Sequence, residues 1–244
     1  IDRWILSKLN SLIKEVDAAL SDYEPTKAGR LIQSFVTDEL SNWYVRLCRR
    51  RFWKGDYTED KISAYQTLYS CLETVAVLSS PIAPFFMDQL FTDLNSVCGK
   101  HTAESVHLAD FPIANEALID NDLEEKMDIA QKVSSMVLSL RKREQIKVRQ
   151  PLQRIMVPVL DKDFARRLQD VSDIILSEVN IKEIELLADT EGVISKKIKP
   201  NFKTIGPKYG KQMKQIAGMV NQWGADEISA VEANGGWKGE LDGA

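Results

Sequence analysis

Apolar residues recur at three- and four-residue steps through the first half of the chain. Ile5, Leu9, Leu12, Val16 and Leu20 form one stripe, which predicts an amphipathic helix ending near Ser21. Pro25 suits the first turn of a second helix, where its missing N–H costs nothing. The second stripe runs through Leu31, Phe35, Val36, Leu40, Trp43 and Leu47, and beyond Gly29 neither Gly nor Pro interrupts it before Gly55. It reads as one long helix. Thr58, followed by Glu59 and Asp60, predicts a capped start for a third helix carrying Ile62, Tyr65, Tyr69, Leu72 and Ala76 and stopping near Pro81. A fourth begins around Pro84 with Phe85, Leu90, Phe91 and Leu94. Residues 99–113 read as a loop, and Asp120 is placed to cap a fifth helix through Met127, Ala130, Val133, Val137 and Leu140. Long helices with short joints predict an antiparallel bundle over residues 1–145.

The texture changes near residue 146. Residues 146–152 alternate apolar and polar around Val148, which predicts an extended segment broken by Pro151. Residues 155–160 are a β-branched strand candidate. Phe164, Leu168, Val171 and Ile175 predict a helix, and Ile181, Ile184, Leu186 and Leu187 a second strand. Residues 193–198 are a third strand candidate and 207–222 a helix with Met213, Ile216 and Val220. Asn234-Gly235, between two apolar arms, is a hairpin signal. Residues 146–244 therefore predict a small mixed α/β subdomain, and the fold class is mainly α. The first helical pattern is already running at Asp2 and the chain stops just after the hairpin's second arm, so both ends are expected to continue in a longer polypeptide.

Charge adds what periodicity cannot. The net charge of −4 argues against a nucleic-acid partner, but its distribution argues for one. Residues 46–54 hold five basic side chains and no acid, residues 141–154 six basic and one acidic, and residues 192–225 seven lysines and no acid. Those segments carry +17 and the remainder −21, so the basic residues are placed rather than scattered. The bland alternative is three solvated faces. There is no stretch of about 18 apolar residues, hence no expected membrane span. Three widely spaced cysteines, Cys48, Cys71 and Cys98, suit a reduced, cytoplasmic protein.

Catalytic constellations are missing. No glycine-rich phosphate loop and no nucleophile elbow occurs. Cys98, His101 and His107 are conceivable metal ligands, but they lack a fourth and match no zinc spacing, so they read as ordinary loop residues.

The chemistry present suits RNA. In residues 42–54, NWYVRLCRRRFWK, a helix would turn Trp43 and Leu47 inward and gather Arg46, Arg49, Arg50 and Lys54 on neighbouring faces. Guanidinium groups grip phosphates and stack on bases. Trp53 and Phe52 are placed to stack on an unpaired base, whereas the alternative, preferred for the aromatics, makes Trp43, Tyr44 and Phe52 core. In residues 140–152, LRKREQIKVRQPL, Arg141 closes a helix and Lys147 and Arg149 share one face of the extended segment. Part of that charge answers the helix dipole. Within residues 196–214, Lys203, Lys208 and Lys211 belong to a diffuse field that attracts phosphate in a salt-dependent way. A helical scaffold binding acidic proteins is the competing reading.

Several blocks carry a family resemblance. They are Asp2-Arg3-Trp4-Ile5-Leu6-Ser7, Glu39-Leu40-Ser41-Asn42-Trp43-Tyr44-Val45-Arg46, Arg49-Arg50-Arg51-Phe52-Trp53 and Pro81-Ile82-Ala83-Pro84-Phe85. To these add Ser105-Val106-His107-Leu108, Asp110-Phe111-Pro112 and Ile146-Lys147-Val148-Arg149-Gln150-Pro151-Leu152. Lys199-Pro200-Asn201-Phe202-Lys203 and Gly206-Pro207-Lys208-Tyr209-Gly210-Lys211 complete the set. Over nearly its whole length the chain resembles the carboxy-terminal, anticodon-binding part of an isoleucyl-tRNA synthetase of eukaryotic-like form. Some blocks are shared with the valyl and leucyl enzymes, which are the sibling reading. The resemblance implies a class I enzyme that joins isoleucine to its tRNA using ATP and Mg²⁺. The HIGH-like and KMSKS-like motifs and the editing insertion are absent, and by the family's layout belong upstream. No catalytic or metal-binding residue is therefore carried over to this chain, and no cofactor is expected in it. Its expected partners are isoleucine tRNA and the upstream catalytic domain of the same polypeptide.

Overall fold

A computed structural model describes residues 1–53, 55–159, 161–187, 198–224, 227–228, 230–231 and 235. The chain is mainly helical. It divides into two compact units, one of Ile1–Leu152 with Arg166–Lys182 and the other of Gln153–Ala165 with Glu183–Ala244.

The first unit is built around α1 (Asp2–Ser21), which packs against α2 (Pro25–Ser34), α4 (Glu59–Ser79) and α6 (Asn121–Arg143). The apolar stripe of α1 buries Trp4, Ile5, Leu9, Leu12 and Val16. Both expected caps form: the Thr58 side chain accepts from Lys61 N–H and the Asp120 side chain from Leu123 N–H. Between them, α5 (Pro84–Cys98) stops at Gly99, whose φ of +59° lets its N–H close onto the Asn95 carbonyl at 2.7 Å. The loop after it is pinned by Asp88, which accepts from Ser105 Oγ at 2.7 Å and Val106 N–H at 2.9 Å.

The long second helix is not uniform. Between α2 and α3 (Arg49–Trp53) the backbone winds as a π-helix over Phe35–Val45. Its buried residues include Phe35, Leu40 and Tyr44, steps of five and four that a wider helix keeps on one side. A polar network then fixes α1 against α6. Glu124 accepts from Ser7 and Ser11, and Lys8 Nζ lies 3.7 Å from Glu39 and 3.9 Å from Glu124. Gln131 donates to Glu39 at 2.8 Å.

Farther along, α6 ends in turns rather than an extended segment, which corrects the expectation for residues 146–152. Gln145 adopts φ +57°, Ile146 N–H returns to the Arg141 carbonyl at 2.8 Å and Gln150 N–H bonds the Lys147 carbonyl at 3.0 Å. The helix expected over residues 164–175 is two, α7 (Lys162–Asp170) and α8 (Ser172–Val179), and α8 packs on α6.

Two strands, β1 (Leu152–Pro158) and β2 (Ile181–Leu187), form a two-stranded parallel sheet, whose residues from Gln153 and Glu183 onward belong to the second unit. Arg154 and Glu185 pair across it at 2.9 Å. The expected 207–222 helix begins earlier and is interrupted. It comprises α9 (Phe202–Tyr209), a 3-10 turn (Gly210–Gln212) and α10 (Met213–Asn221). The third strand candidate, apart from Ile198, lies outside the described residues, and the first arm of the expected hairpin is corrected, since Ile228, Ala230 and Val231 are helical; of the rest of the hairpin only Gly235 is described. Among the described residues no helix is long and apolar enough to cross a membrane.

Candidate nucleic-acid interface

The five-cation run of residues 46–54 is sorted by helix geometry. Arg51 follows Tyr44 and Cys48 at steps of four and three, so it shares their inward face. Its two Nη atoms grip Asp2 in a fork, each at 2.7 Å, and its Nε reaches Asp60 at 2.9 Å. Tyr44 also donates to Asp2, at 2.8 Å. The Arg51 fork holds the Asp2 carboxyl below its ordinary range, overcoming the opposing push of burial. Asp2 in turn raises Arg51 further above its usual value. Trp43, Tyr44 and Phe52 are buried, as the core reading expected, so Phe52 does not present its ring to a base. Phe52 meets Tyr44, Trp53 and Tyr65 ring to ring.

Outside that hub lie Arg49, Arg50 and Trp53, all exposed. The Arg49 guanidinium stands 5.7 Å over the Trp53 ring, and Trp53 keeps 71% of its surface in solvent. Neither Arg49 nor Arg50 forms an ion pair among the described residues. Arg46 is tethered, its Nε to the Asn42 carbonyl at 2.7 Å and its Nη1 to Glu178 at 2.5 Å. Lys54 lies outside the described residues.

Arg141 is a correction. It is 3% exposed and cannot reach a polyanion. Its Nη1 donates to the Lys147 and Gln150 carbonyls, each at 3.1 Å, and its Nη2 to the Asn180 carbonyl at 3.0 Å. The backbone wraps this guanidinium, which is why residues 146–150 turn. A signal was available: Met127, Ala130, Val133 and Val137 are buried at steps of three and four, and 141 is the next position of that stripe. Leu140, expected on the inward face, is 49% exposed. The neighbouring Lys142 is exposed instead and has no ion pair among the described residues. Lys147 and Arg149 are exposed on the turns that Arg141 organises.

In the second unit, Lys203 is exposed at the start of α9, its N–H held by the Asn201 side chain at 3.2 Å. Lys208 lies in α9 and Lys211 in the 3-10 turn that follows; their side chains are outside what the structure describes.

The Cys98–His107 segment is engaged locally. Cys98 is exposed with its Sγ 2.7 Å from the Tyr69 hydroxyl, whereas Cys48 and Cys71 are buried. His101 Nε2 lies 2.5 Å from Glu73, which also binds Lys100 at 2.6 Å. Among the described residues no three His, Cys, Asp or Glu side chains converge as metal ligands.

Fold and site together define a class, a mainly helical protein in which the exposed cations Arg49, Arg50 and Lys142 stand at helix ends with no carboxylate partner among the described residues. The chain belongs to the anticodon-binding domain family of tRNA ligases, whose family model matches residues 2–156. It is 60% identical over 233 residues to the isoleucine–tRNA ligase of Cytophaga hutchinsonii, covering 96% of this chain and 21% of that one. It is 55% identical to the Bacteroides thetaiotaomicron enzyme over 244 residues, 100% of this chain and 21% of the relative. The Clostridium novyi enzyme is 39% identical over 236 residues, 96% and 22% respectively. The chain thus spans about a fifth of the length of the curated relatives it matches.

Proposed function

We propose that this chain is the part of an isoleucine–tRNA ligase that holds the anticodon arm of isoleucine tRNA. The whole enzyme would be cytoplasmic and would join isoleucine to that tRNA using ATP and Mg²⁺. Those ligands belong to a catalytic domain elsewhere in the polypeptide, and this chain is itself catalytically inactive. The observation that carries the reading is the segregation of cations at the end of the second helix. Arg51 is consumed by the fold, while Arg49, Arg50 and Trp53 stand outside without carboxylate partners among the described residues. Arginine beside an exposed indole suits phosphates and unpaired bases, the features by which RNA loops are recognised. Lys147 and Arg149, with Lys203 and the Lys208 and Lys211 positions of the second unit, would extend the grip along the phosphate backbone.

The test is a titration of the chain with isoleucine tRNA and with a non-cognate tRNA at two salt concentrations. Tighter cognate binding, weakened by Arg49→Ala with Arg50→Ala and by added salt, is expected. Equal weak binding to both tRNAs, unchanged by that double substitution, would remove specific recognition. No binding to either would favour a protein-binding scaffold.

A further inference from the structure

The turn wound around Arg141 spends its carbonyls on the inside. Those of Lys147 and Gln150 accept from Arg141 Nη1, each at 3.1 Å, and that of Val148 accepts from Asn180 Nδ2 at 2.9 Å. No described peptide bond is cis, so each N–H lies opposite the carbonyl of the residue before it. The N–H groups of Val148 and Arg149 therefore point away from the buried post. Both belong to exposed residues, and neither has an acceptor among the described residues. Beneath them lies a charge without a counter-ion. Arg141 is 3% exposed and meets no carboxylate among the described residues. A guanidinium stays ionised in a protein, and burying it unpaired is costly. The carbonyls that face it solvate it, and the same peptide dipoles turn their positive N–H ends outward. The field of the buried cation thus emerges at the surface of the turn instead of being cancelled. Nothing local opposes it, since residues 145–160 contain no acid.

We infer that this turn is a backbone cradle for one phosphodiester oxyanion of RNA, with the Val148 and Arg149 N–H groups as donors and Arg141 and Asn180 as the positioning residues that aim them. The inference rests on the RNA-binding reading and deepens it, because the donors are main-chain groups and neither positioning residue touches the ligand. Successive N–H groups aimed one way are a recurrent anion-binding device, and here a buried cation stands behind them. Asn180 suits its role through its own backbone. It ends α8 at a φ of +52°, a left-handed conformation that asparagine tolerates, and from there its amide reaches Val148 across 32 residues of chain. An RNA phosphodiester is favoured over a free anion. Two N–H groups on an exposed turn hold a small ion weakly, whereas a polyanion already gripped elsewhere meets them at high effective concentration.

The experiment uses the 244-residue chain and fluorescence anisotropy with an anticodon stem-loop of isoleucine tRNA, made unmodified and as a set in which one linkage at a time is a neutral methylphosphonate. Asn180→Gly keeps the left-handed backbone and the carbonyl that accepts from Arg141 and Leu152, and removes only the amide bond to Val148. Thermal unfolding should therefore hardly move. The variant should weaken binding of the unmodified RNA about three- to fivefold, yet cost nothing further on the one RNA whose contacted linkage is neutral. A loss of equal size on every RNA of the set would show a merely structural role and overturn the proposal. A second readout needs no variant. In protein carrying isotope-labelled valine and arginine, the Val148 and Arg149 amide protons should move downfield as RNA is added, and unmoved amides would overturn the proposal. If both readouts fail while Arg49→Ala with Arg50→Ala weakens binding, the cradle falls and the RNA-binding reading stands. If wild type binds no RNA, both fall. Inorganic phosphate that shifts the two amides when RNA does not would mark a free-anion site and also overturn the proposal.

Discussion

Residues 46–53 and residues 141–150 look alike in sequence, and each turns one guanidinium into the fold while leaving other cations outside. What differs is what neutralises the inward group. Arg51 meets the carboxylates of Asp2 and Asp60, at 2.7–2.9 Å. Among the described residues Arg141 meets only the carbonyls of Lys147, Gln150 and Asn180, and its Nε has no partner there. One hub is an ion pair between helices; the other is a post around which backbone is wound. A basic cluster therefore overstates the charge it offers a polyanion, and the residue removed from the count is the one in phase with the apolar stripe.

The largest effect should come from the post. Arg141→Met strands three carbonyl acceptors, and a loss of about 3–4 kcal/mol in urea unfolding is expected. Arg141→Lys should restore little of it, because one ammonium cannot match a planar fork aimed at three oxygens. A cost near zero for Arg141→Met would show that the turns form without the guanidinium. Arg51→Met should cost less, about 2–3 kcal/mol, since its partners lie nearer solvent and Asp2 can rehydrate.

Acid separates the two hubs next. The folded pKa of Asp2 is held below its ordinary 3.8 by the Arg51 fork. Its contribution is thus complete above that ordinary value and is lost as pH falls through the lower, folded one. Arg51→Met should flatten this part of the stability profile, while Arg141→Met should keep it, because carbonyls do not titrate there. Parallel acid profiles for the two variants would contradict the distinction. The smallest change in stability belongs to the outer cations: Arg49→Ala with Arg50→Ala should move unfolding by no more than about 0.5 kcal/mol while weakening tRNA binding. A large stability loss would mean that these side chains also serve the fold.

Periodicity reported the first unit well where a helix has the ordinary pitch. The stripe of α1 and the caps at Thr58 and Asp120 were readable because each depends on residues within one turn of chain. The π-helical stretch was not separated from its flanks, although the Phe35–Leu40–Tyr44 spacing held the clue. Residues 146–152 misled because alternation describes a free strand, whereas here Arg141 and Asn180, distant in sequence or buried, dictate the backbone. Asn180 Nδ2 even bonds the Val148 carbonyl at 2.9 Å from 32 residues away. In the candidate site, Arg49, Arg50 and Trp53 were legible from composition and exposure. Which arginine turned inward depended on helix phase, and the tether of Arg46 to Glu178 depended on a contact between residues far apart in sequence, which no local pattern records.

The three thiols have a practical consequence. Burial pushes Cys71 up to about 12 and raises Cys48 above its ordinary range. Thiolates are the reactive form, so neither should compete for a maleimide under native conditions. Cys98, exposed at the end of α5, is left as a natural single attachment point. A dye or spin label placed there would report on the chain in a tRNA titration without any cysteine being engineered in or out.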